Sequence, residues 1–322
     1  MTQVLIIVAV VLVVAAVAQV VRIMELTSEL RGGNTNAVTD KDNRNQAMLM
    51  FLFMVGMMGS FLWMWAKWDH LMLPGASSEH GVQIDNLMAI TMGIIIIVFF
   101  ITQPLLFWFA YRYRGKEGNT ASYVSHNNKL ELVWTAIPAI VLTVLIVYGL
   151  KTWSGIVNKD TSDAQVVEFY ARQFDWTARY TGEDGILGEA NVRNIEGANI
   201  VGVNMEDEFG QDDFIGRGEI VLPVNQPMLF KFRSQDVLHS AYFPHFRVQM
   251  NCVPGMNTQF AFTPTKTTEQ MRQETSNPEF DYILLCNKIC GAAHYNMQMT
   301  IKVVSQEEYD RWLSEQTPLA NS

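Results

Sequence analysis

Four long apolar stretches in the first half of the chain constrain its fold more than any other feature. Residues 3–21, 46–66, 87–110 and 133–150 contain no Asp, Glu, Lys or Arg. A helix needs roughly 20 apolar residues to cross a hydrocarbon core about 30 Å thick, and each stretch is close to that length. The sequence therefore predicts four transmembrane helices.

The loops between these stretches differ in positive charge, which orients a membrane protein. Residues 22–45 hold four Lys and Arg, residues 111–132 hold another four, and residues 67–86 hold only Lys67. Positive residues favour the cytoplasmic side, so both four-charge loops should be cytoplasmic. The chain after about Lys151 should then lie on the outer side, and so should the N-terminus.

The first stretch has a second interpretation, as a cleaved signal peptide with its cleavage site at Ala16-Val-Ala18. A signal peptide starts with positive residues, and none precedes this apolar run. Cleavage would also move residues 22–45 to the outer side and force the last part of the chain into the cytoplasm. Both observations favour a retained helix.

After Lys151 the pattern changes to short alternating or apolar runs separated by turns. These runs cover residues 166–171, 228–233, 259–262, 280–285 and 299–304. They are typical of β-strands, and several at this spacing indicate an antiparallel sandwich. The sequence thus predicts a membrane part followed by an all-β domain.

Near the C-terminus, Cys286, Cys290, His294 and Met297 lie within one short segment. Two thiolates, an imidazole and a thioether form a soft ligand set that suits copper. The second Cys allows both sulfurs to bridge two copper ions, which indicates a binuclear centre. Zinc sites prefer Cys, His and carboxylate ligands, so Met297 argues against zinc. A Cys286–Cys290 disulfide is the remaining alternative.

This segment resembles the copper-binding loop of subunit II of cytochrome c oxidase, in the haem-copper oxygen reductase family. Further stretches that resemble the same family are Leu130–Pro138, Gln173–Trp176, Asp236–Ser240, Phe246–Val248 and Val253–Met256. The resemblance covers about residues 87–305. It implies a cupredoxin-like Greek-key domain with a binuclear copper A centre. The implied ligands are His239, Cys286, Cys290, His294, Met297 and the backbone carbonyl of Lys288.

The resemblance also implies how the chain is divided. Subunit II of this family usually has two spanning helices, which the third and fourth apolar stretches match. We therefore expect an N-terminal extension with two helices over residues 1–66 and a helix hairpin over 67–151. A copper domain with an acidic insert at about 181–218 should occupy 152–305, followed by a C-terminal tail over 306–322.

Three residues depart from the family's pattern. Lys288 stands where the family typically has a Glu whose side chain reaches a magnesium ion at the boundary with subunit I. An ammonium cannot ligate a metal, so the sequence argues against that magnesium site. Asn251 replaces an Asp of a related subgroup. Phe174 replaces a Trp thought to receive the electron from cytochrome c, which points to a change in the donor or its docking site.

Other titratable residues are assigned more modest roles. His245 is the rival of His239, whose Asp-Val-Leu-His-Ser context favours it as the ligand. Cys252 is interpreted as a small buried apolar residue. Glu131 matches the family's Glu at the mouth of a proton channel into subunit I, although an acid at a helix start is also favourable by itself.

The chain after Lys151 is acidic, with 13 Lys and Arg against 23 Asp and Glu. This balance excludes nucleic acid as a partner. Acids cluster at Glu206–Glu208 and at Asp212 and Asp213 within the insert. The insert is either a solvated surface loop or a surface that attracts a basic electron donor.

These observations predict the subunit through which electrons enter a respiratory, proton-translocating oxidase of the cell (inner) membrane. The copper pair would accept electrons from a c-type cytochrome or haem-c domain and pass them to haem in subunit I, where oxygen is reduced. The alternatives are the copper A subunit of a nitric oxide reductase and a copper-lacking quinol oxidase subunit II.

Overall fold

The computed structural model describes residues 2–30, 38–197 and 199–321, and it confirms four apolar helices followed by a β domain. The helices are α1 (Thr2–Leu30), α2 (Asp40–Trp68), α3 (Glu79–Arg112) and α4 (Asn128–Val157). All four are long and apolar enough to cross a membrane. The chain forms two compact units, one comprising the residues up to Asp69 with Ile95–Asn127, and the other His70–Ile94 with Asn128–Ser322.

In the first unit, α2 and the later part of α3 pack through aromatic rings. The ring of Phe61 lies 5.9 Å from that of Phe99, measured between centroids. At one end of this helix pair, the side-chain amide of Asn43 donates to the carbonyl of Gly115 at 3.3 Å. This bond joins the two predicted loops that carry four positive charges each, so both loops lie at the same end of the pair.

The second unit contains a sandwich of two five-stranded sheets. Its strands are β1 (Gln165–Arg172), β2 (Asp175–Tyr180), β3 (Phe214–Arg217), β4 (Glu219–Pro223), β5 (Met228–Ser234), β6 (His239–Phe243), β7 (Val248–Cys252), β8 (Thr258–Phe262), β9 (Tyr282–Cys286) and β10 (Gln298–Val304). The first sheet has the order β3-β2-β1-β5-β8 and the second the order β4-β10-β9-β6-β7. All five predicted runs are strands of this sandwich.

The sequence predicts an antiparallel sandwich, but two strand pairs of the observed sandwich are parallel. β1 pairs with β5 in parallel, and β4 pairs with β10 in parallel. A hairpin forces its two strands to be antiparallel. These partners are not consecutive in the chain, because β2 to β4 lie between β1 and β5, and β5 to β9 lie between β4 and β10, so no hairpin sets their direction. The chain changes sheet between β3 and β4 at Gly218, whose φ of 76° favours glycine.

Aromatic side chains fill the space between the sheets. Phe169, Phe230, Phe243 and Phe262 are fully buried and contact one another through their rings. Burying a side chain of this size contributes roughly 1.5–3 kcal/mol. This core gives the strands that carry the candidate ligands a rigid support.

The insert over residues 181–218 is held against the first sheet by buried charges. The guanidinium of Arg179 on β2 is 3.0 Å from carboxylate oxygens of both Glu168 and Asp213. Glu168 also pairs with Arg233 at 3.1 Å. Asp213, one acid of the insert, is fully buried in this network and is therefore not part of the acidic surface.

The predicted tail begins with a helix, α6 (Gln306–Ser314), after a short helix α5 (Thr268–Thr275) earlier in the domain. The ring of Trp312 lies 5.1 Å from that of Tyr180 and 5.7 Å from that of Phe214. The first part of the tail is thus packed against the sandwich.

Candidate metal centre

The loop between β9 and β10 carries most of the predicted ligands. β9 ends at Cys286, and β10 begins directly after Met297. β6 begins at His239 and pairs with β9, so that Ala241 lies opposite Cys286. This register brings His239 to the loop although 47 positions separate it from Cys286.

The donor atoms of the five predicted side-chain ligands are close neighbours. Cys286 Sγ lies 3.8 Å from His239 Nδ1 and 4.0 Å from Cys290 Sγ. Cys290 Sγ lies 3.6 Å from His294 Nδ1 and 3.8 Å from Met297 Sδ. The two sulfurs therefore lie between the two imidazoles, and both cysteines are free thiols rather than a disulfide.

Asp236 fixes the orientation of the His239 ring. One carboxylate oxygen lies 2.8 Å from His239 Nε2, and the other accepts the backbone N–H of Gln173 at 2.7 Å. Partial burial by itself would raise the pKa of Asp236, but the hydrogen bonds from His239, Gln173 and Val237 outweigh it and lower that pKa. An ionised Asp236 favours the proton on Nε2, which leaves Nδ1 free to face the sulfurs.

The turn between β1 and β2 covers the other side of the loop. The side-chain amide of Gln173 donates to the carbonyl of Cys290. A Cβ on Gly291 would lie 2.8 Å from the ring of Phe174 and from the Gln173 amide nitrogen. Gly291 is therefore required where the loop passes beneath this turn, and its φ of 145° also favours glycine.

Deprotonating both thiols costs free energy unless a cation binds beside them. Burial, and next the adjacent Cys286, raise the pKa of Cys290 to about 11. Two thiolates at this separation repel each other unless positive charge compensates them. Two sulfurs, two imidazoles and a thioether are soft donors, so the residues present fit copper.

Comparison with known proteins identifies the family. The model for the cytochrome C oxidase subunit II transmembrane domain matches residues 66–152, and that for the periplasmic domain of the same subunit matches residues 166–304. The chain belongs to the cytochrome c oxidase subunit II family.

Individual proteins similar to this chain are the following. The alternative cytochrome c oxidase subunit 2 of Bradyrhizobium diazoefficiens is 36% identical over 238 residues, which cover 74% of this chain and 81% of that protein. Cytochrome c oxidase subunit 2 of Synechocystis is 21% identical over 284 residues, 82% of each protein. The periplasmic domain of subunit II (CoxB) of Bradyrhizobium japonicum covers 48% of this chain and 93% of its own, with 20% identity and a TM-score of 0.33.

Membership of the subunit II family places this chain in an oxidoreductase complex, as the subunit that receives electrons. The β domain is the outer-side domain of a membrane protein. Its strand order and the family matches together confirm the predicted cupredoxin-like fold.

The two other predicted site residues of this subunit II lie in different surroundings. The carbonyl oxygen of Lys288 is 3.3 Å from Cys286 Sγ, so its backbone faces the metal centre, whereas its side chain is exposed. Glu131 lies in the first turn of α4, outside the metal centre, and is exposed.

Three residues that are not predicted ligands pack within the protein, and Cys252 among them lies directly opposite His239 in the β6–β7 pair. Cys252 is fully buried, and burial raises the pKa of its thiol to about 12. His245 packs against Phe280 and Tyr282. His80 lies in the first turn of α3 with its ring against Phe260.

Sequence reasoning did not assign roles to Asp236 or Gln173 in the support of the metal centre. The spacing of Asp236, three residues before His239, could have indicated the first contact. Gln173 carried no such signal, because its partner Cys290 is 117 positions away.

Proposed function

We propose that this subunit II holds a binuclear copper A centre and passes electrons from a c-type cytochrome, or a haem-c domain, to haem in subunit I. The convergence of two thiols, two imidazoles and a thioether at one end of a rigid sandwich carries the proposal. When bound, the copper pair would supply one-electron transfer.

Each residue has a distinct part in this proposal. The thiols of Cys286 and Cys290, the Nδ1 atoms of His239 and His294, the thioether of Met297 and the carbonyl of Lys288 would hold the copper pair. Because the residues come from the ends of packed strands and are tied by hydrogen bonds, they keep their positions through a redox cycle. A copper-lacking quinol oxidase subunit is not favoured, because a subunit without copper does not need five metal-donor side chains at one place.

The donor would approach from the outer side of the cell (inner) membrane. Ile289 and Tyr295 on the copper loop are 85% and 87% exposed, which offers an apolar contact beside the metal centre. The acidic insert would attract a basic donor and raise the rate of encounter. The further partners would be oxidase subunits and membrane lipid.

Copper analysis and electron paramagnetic resonance of the purified chain test the proposal. We expect two coppers per chain that share one unpaired electron in the oxidised state. Cys286→Ser or Cys290→Ser should abolish this signal, whereas Cys252→Ser should retain it, since its thiol is not a ligand. Lys288→Ala should also retain it, because the carbonyl remains. One copper per chain with a four-line hyperfine pattern would reject the binuclear centre.

A further inference from the structure

The segment Pro74–His80, which leads into α3, is built into the β domain. Ser77 and Ser78 are fully buried. The backbone N–H of Ser77 donates to the carbonyl of His245 at 2.8 Å, and the carbonyl of Ser77 accepts from the N–H of Thr265 at 2.8 Å. A linker bonded on both sides in this way moves with the domain.

Arg247 stands next to this segment in an unusual backbone conformation. Its φ of 56° lies in the left-handed region, which is unfavourable for a residue with a Cβ. A non-glycine residue held there suggests that its side chain is needed. That side chain is 16% exposed and makes four polar contacts with three residues.

The principal partner of Arg247 is Asp85 on α3. Arg247 Nε lies 2.8 Å from Asp85 Oδ1, and Nη2 lies 3.1 Å from Asp85 Oδ2. The guanidinium also donates to the carbonyls of Pro74 and Pro244, at 2.8 Å and 2.7 Å. Asp85 Oδ2 accepts the N–H of Ala76 at 3.0 Å as well. A two-pronged Arg–carboxylate pair fixes orientation as well as distance.

The Asp85–Arg247 pair connects α3 with the β domain. Asp85 is two residues before the apolar stretch 87–110, and α3 continues from it without a break. Arg247 follows the short helical turn Pro244–Phe246, which comes directly after β6, and β6 begins at His239. A short strand and one helical turn therefore connect Arg247 to a candidate copper ligand.

We propose that Asp85 and Arg247 are positioning residues that lock the copper-binding domain onto the outer part of α3. This holds the copper ligands at a fixed place for electron transfer to the partner subunit's haem. The inference rests on the proposed function, but the lock itself is a property of this chain alone.

Hydrogen exchange of the metal-free full chain tests the lock without any activity. Arg247→Gly removes the side chain while placing the residue best suited to φ 56°, so backbone strain cannot explain a loss. The second variant, Asp85→Asn, keeps the size of the Asp85 side chain but removes its charge. We expect at least tenfold faster exchange at the N–H groups of Ser77 and Thr265 in both. Lys302→Met, which removes the exposed pair with Glu219 at 2.7 Å, is the matched control and should leave exchange unchanged.

Kinetics of the assembled, copper-loaded oxidase test the consequence. Misplacing a functional group by about 1 Å can slow a reaction by up to about a hundredfold, so we expect Asp85→Asn to slow copper-to-haem transfer by about tenfold. The copper signal and the reduction of copper by the donor should stay unchanged, and Arg247→Lys should show a smaller loss. The lock would be overturned if Asp85→Asn and Arg247→Gly exchanged hydrogen at the wild-type rate. It would also be overturned if Asp85→Asn transferred electrons from copper to haem at the wild-type rate.

Failure of the lock and failure of the proposed function are distinguishable. A wild-type chain that binds no copper pair would contradict the proposed function and leave the exchange results standing. An intact copper signal with exchange and transfer unaffected by either substitution would contradict only the lock.

Discussion

At the scale of single residues, the metal centre depends on side chains that do not themselves provide ligands. Asp236 holds the His239 ring through Nε2 and, through the Gln173 N–H, also holds the turn above Gly291. One carboxylate therefore orients a predicted ligand and supports the loop that carries Cys290, His294 and Met297.

Asp236→Ala should weaken copper binding by about 10- to 100-fold, the usual cost of losing a group that orients a metal-bound His. Asp236→Asn is the matched control, since its amide oxygen can still accept a hydrogen bond, and it should lose less. Competition with a copper chelator measures the affinity. Equal affinity of Asp236→Ala and the wild type would contradict the orienting role.

The proton-channel role of Glu131 is assigned only from the family resemblance. If it lies at the mouth of a proton channel, Glu131→Gln should lower turnover and proton uptake in an assembled, fully metallated oxidase, because an amide cannot exchange a proton there. Glu117→Gln, in the exposed loop before α4, is the control. Unchanged proton uptake in Glu131→Gln would show that the acid serves only the helix start.

At the scale of elements, the short helical turn between β6 and β7 contains a His that resists protonation. The ring of His245 packs 5.0 Å from that of Phe280, and within the described residues its Nδ1 has no hydrogen-bond partner. Burial, and next the charge of Arg247, lower the pKa of His245 to about 4. The turn is thus stable with a neutral ring.

This pKa predicts a loss of stability in acid. The unfolded chain binds a proton at His245 near pH 6.5, whereas the folded chain does so only near pH 4. His245 therefore leaves the free energy of unfolding undiminished above about pH 6.5. As the pH drops towards 4, this residue lowers the free energy of unfolding by at most roughly 1.4 kcal/mol per pH unit. Denaturant unfolding of the detergent-solubilised chain at pH 7, 6 and 5 measures the slope. His245→Phe should flatten it, and identical slopes would contradict the assignment.

At the scale of the whole molecule, the β domain lies on the outer side, and the pattern of positive charge predicts that the two basic loops are cytoplasmic. Within the first unit, the contact between Asn43 and Gly115 places both loops at one end of the α2–α3 pair, as this topology requires. The family's periplasmic-domain match agrees with an outer β domain.

Cysteine labelling tests the full topology. Glu279→Cys in the β domain should react with a membrane-impermeant maleimide. The reagent is added to cells whose outer envelope is permeable and whose inner membrane is intact. Asn119→Cys in the second basic loop should react only after the inner membrane is opened, because a charged reagent does not cross it. Both positions are exposed. Labelling of Asn119→Cys in sealed cells would contradict the assigned orientation.

Features that depend on local composition can be predicted from the sequence. Apolar length is enough to predict α1 to α4, alternating runs are enough to predict strands, and the ligand types of Cys286, Cys290, His294 and Met297 are enough to indicate copper. The contacts between distant groups become known only from the fold. The parallel strand pairs, the contact of Gln173 with Cys290 and the pairing of Arg247 with Asp85 join positions that are far apart in the chain. Such contacts depend on sheet order and register, which short-range patterns do not encode.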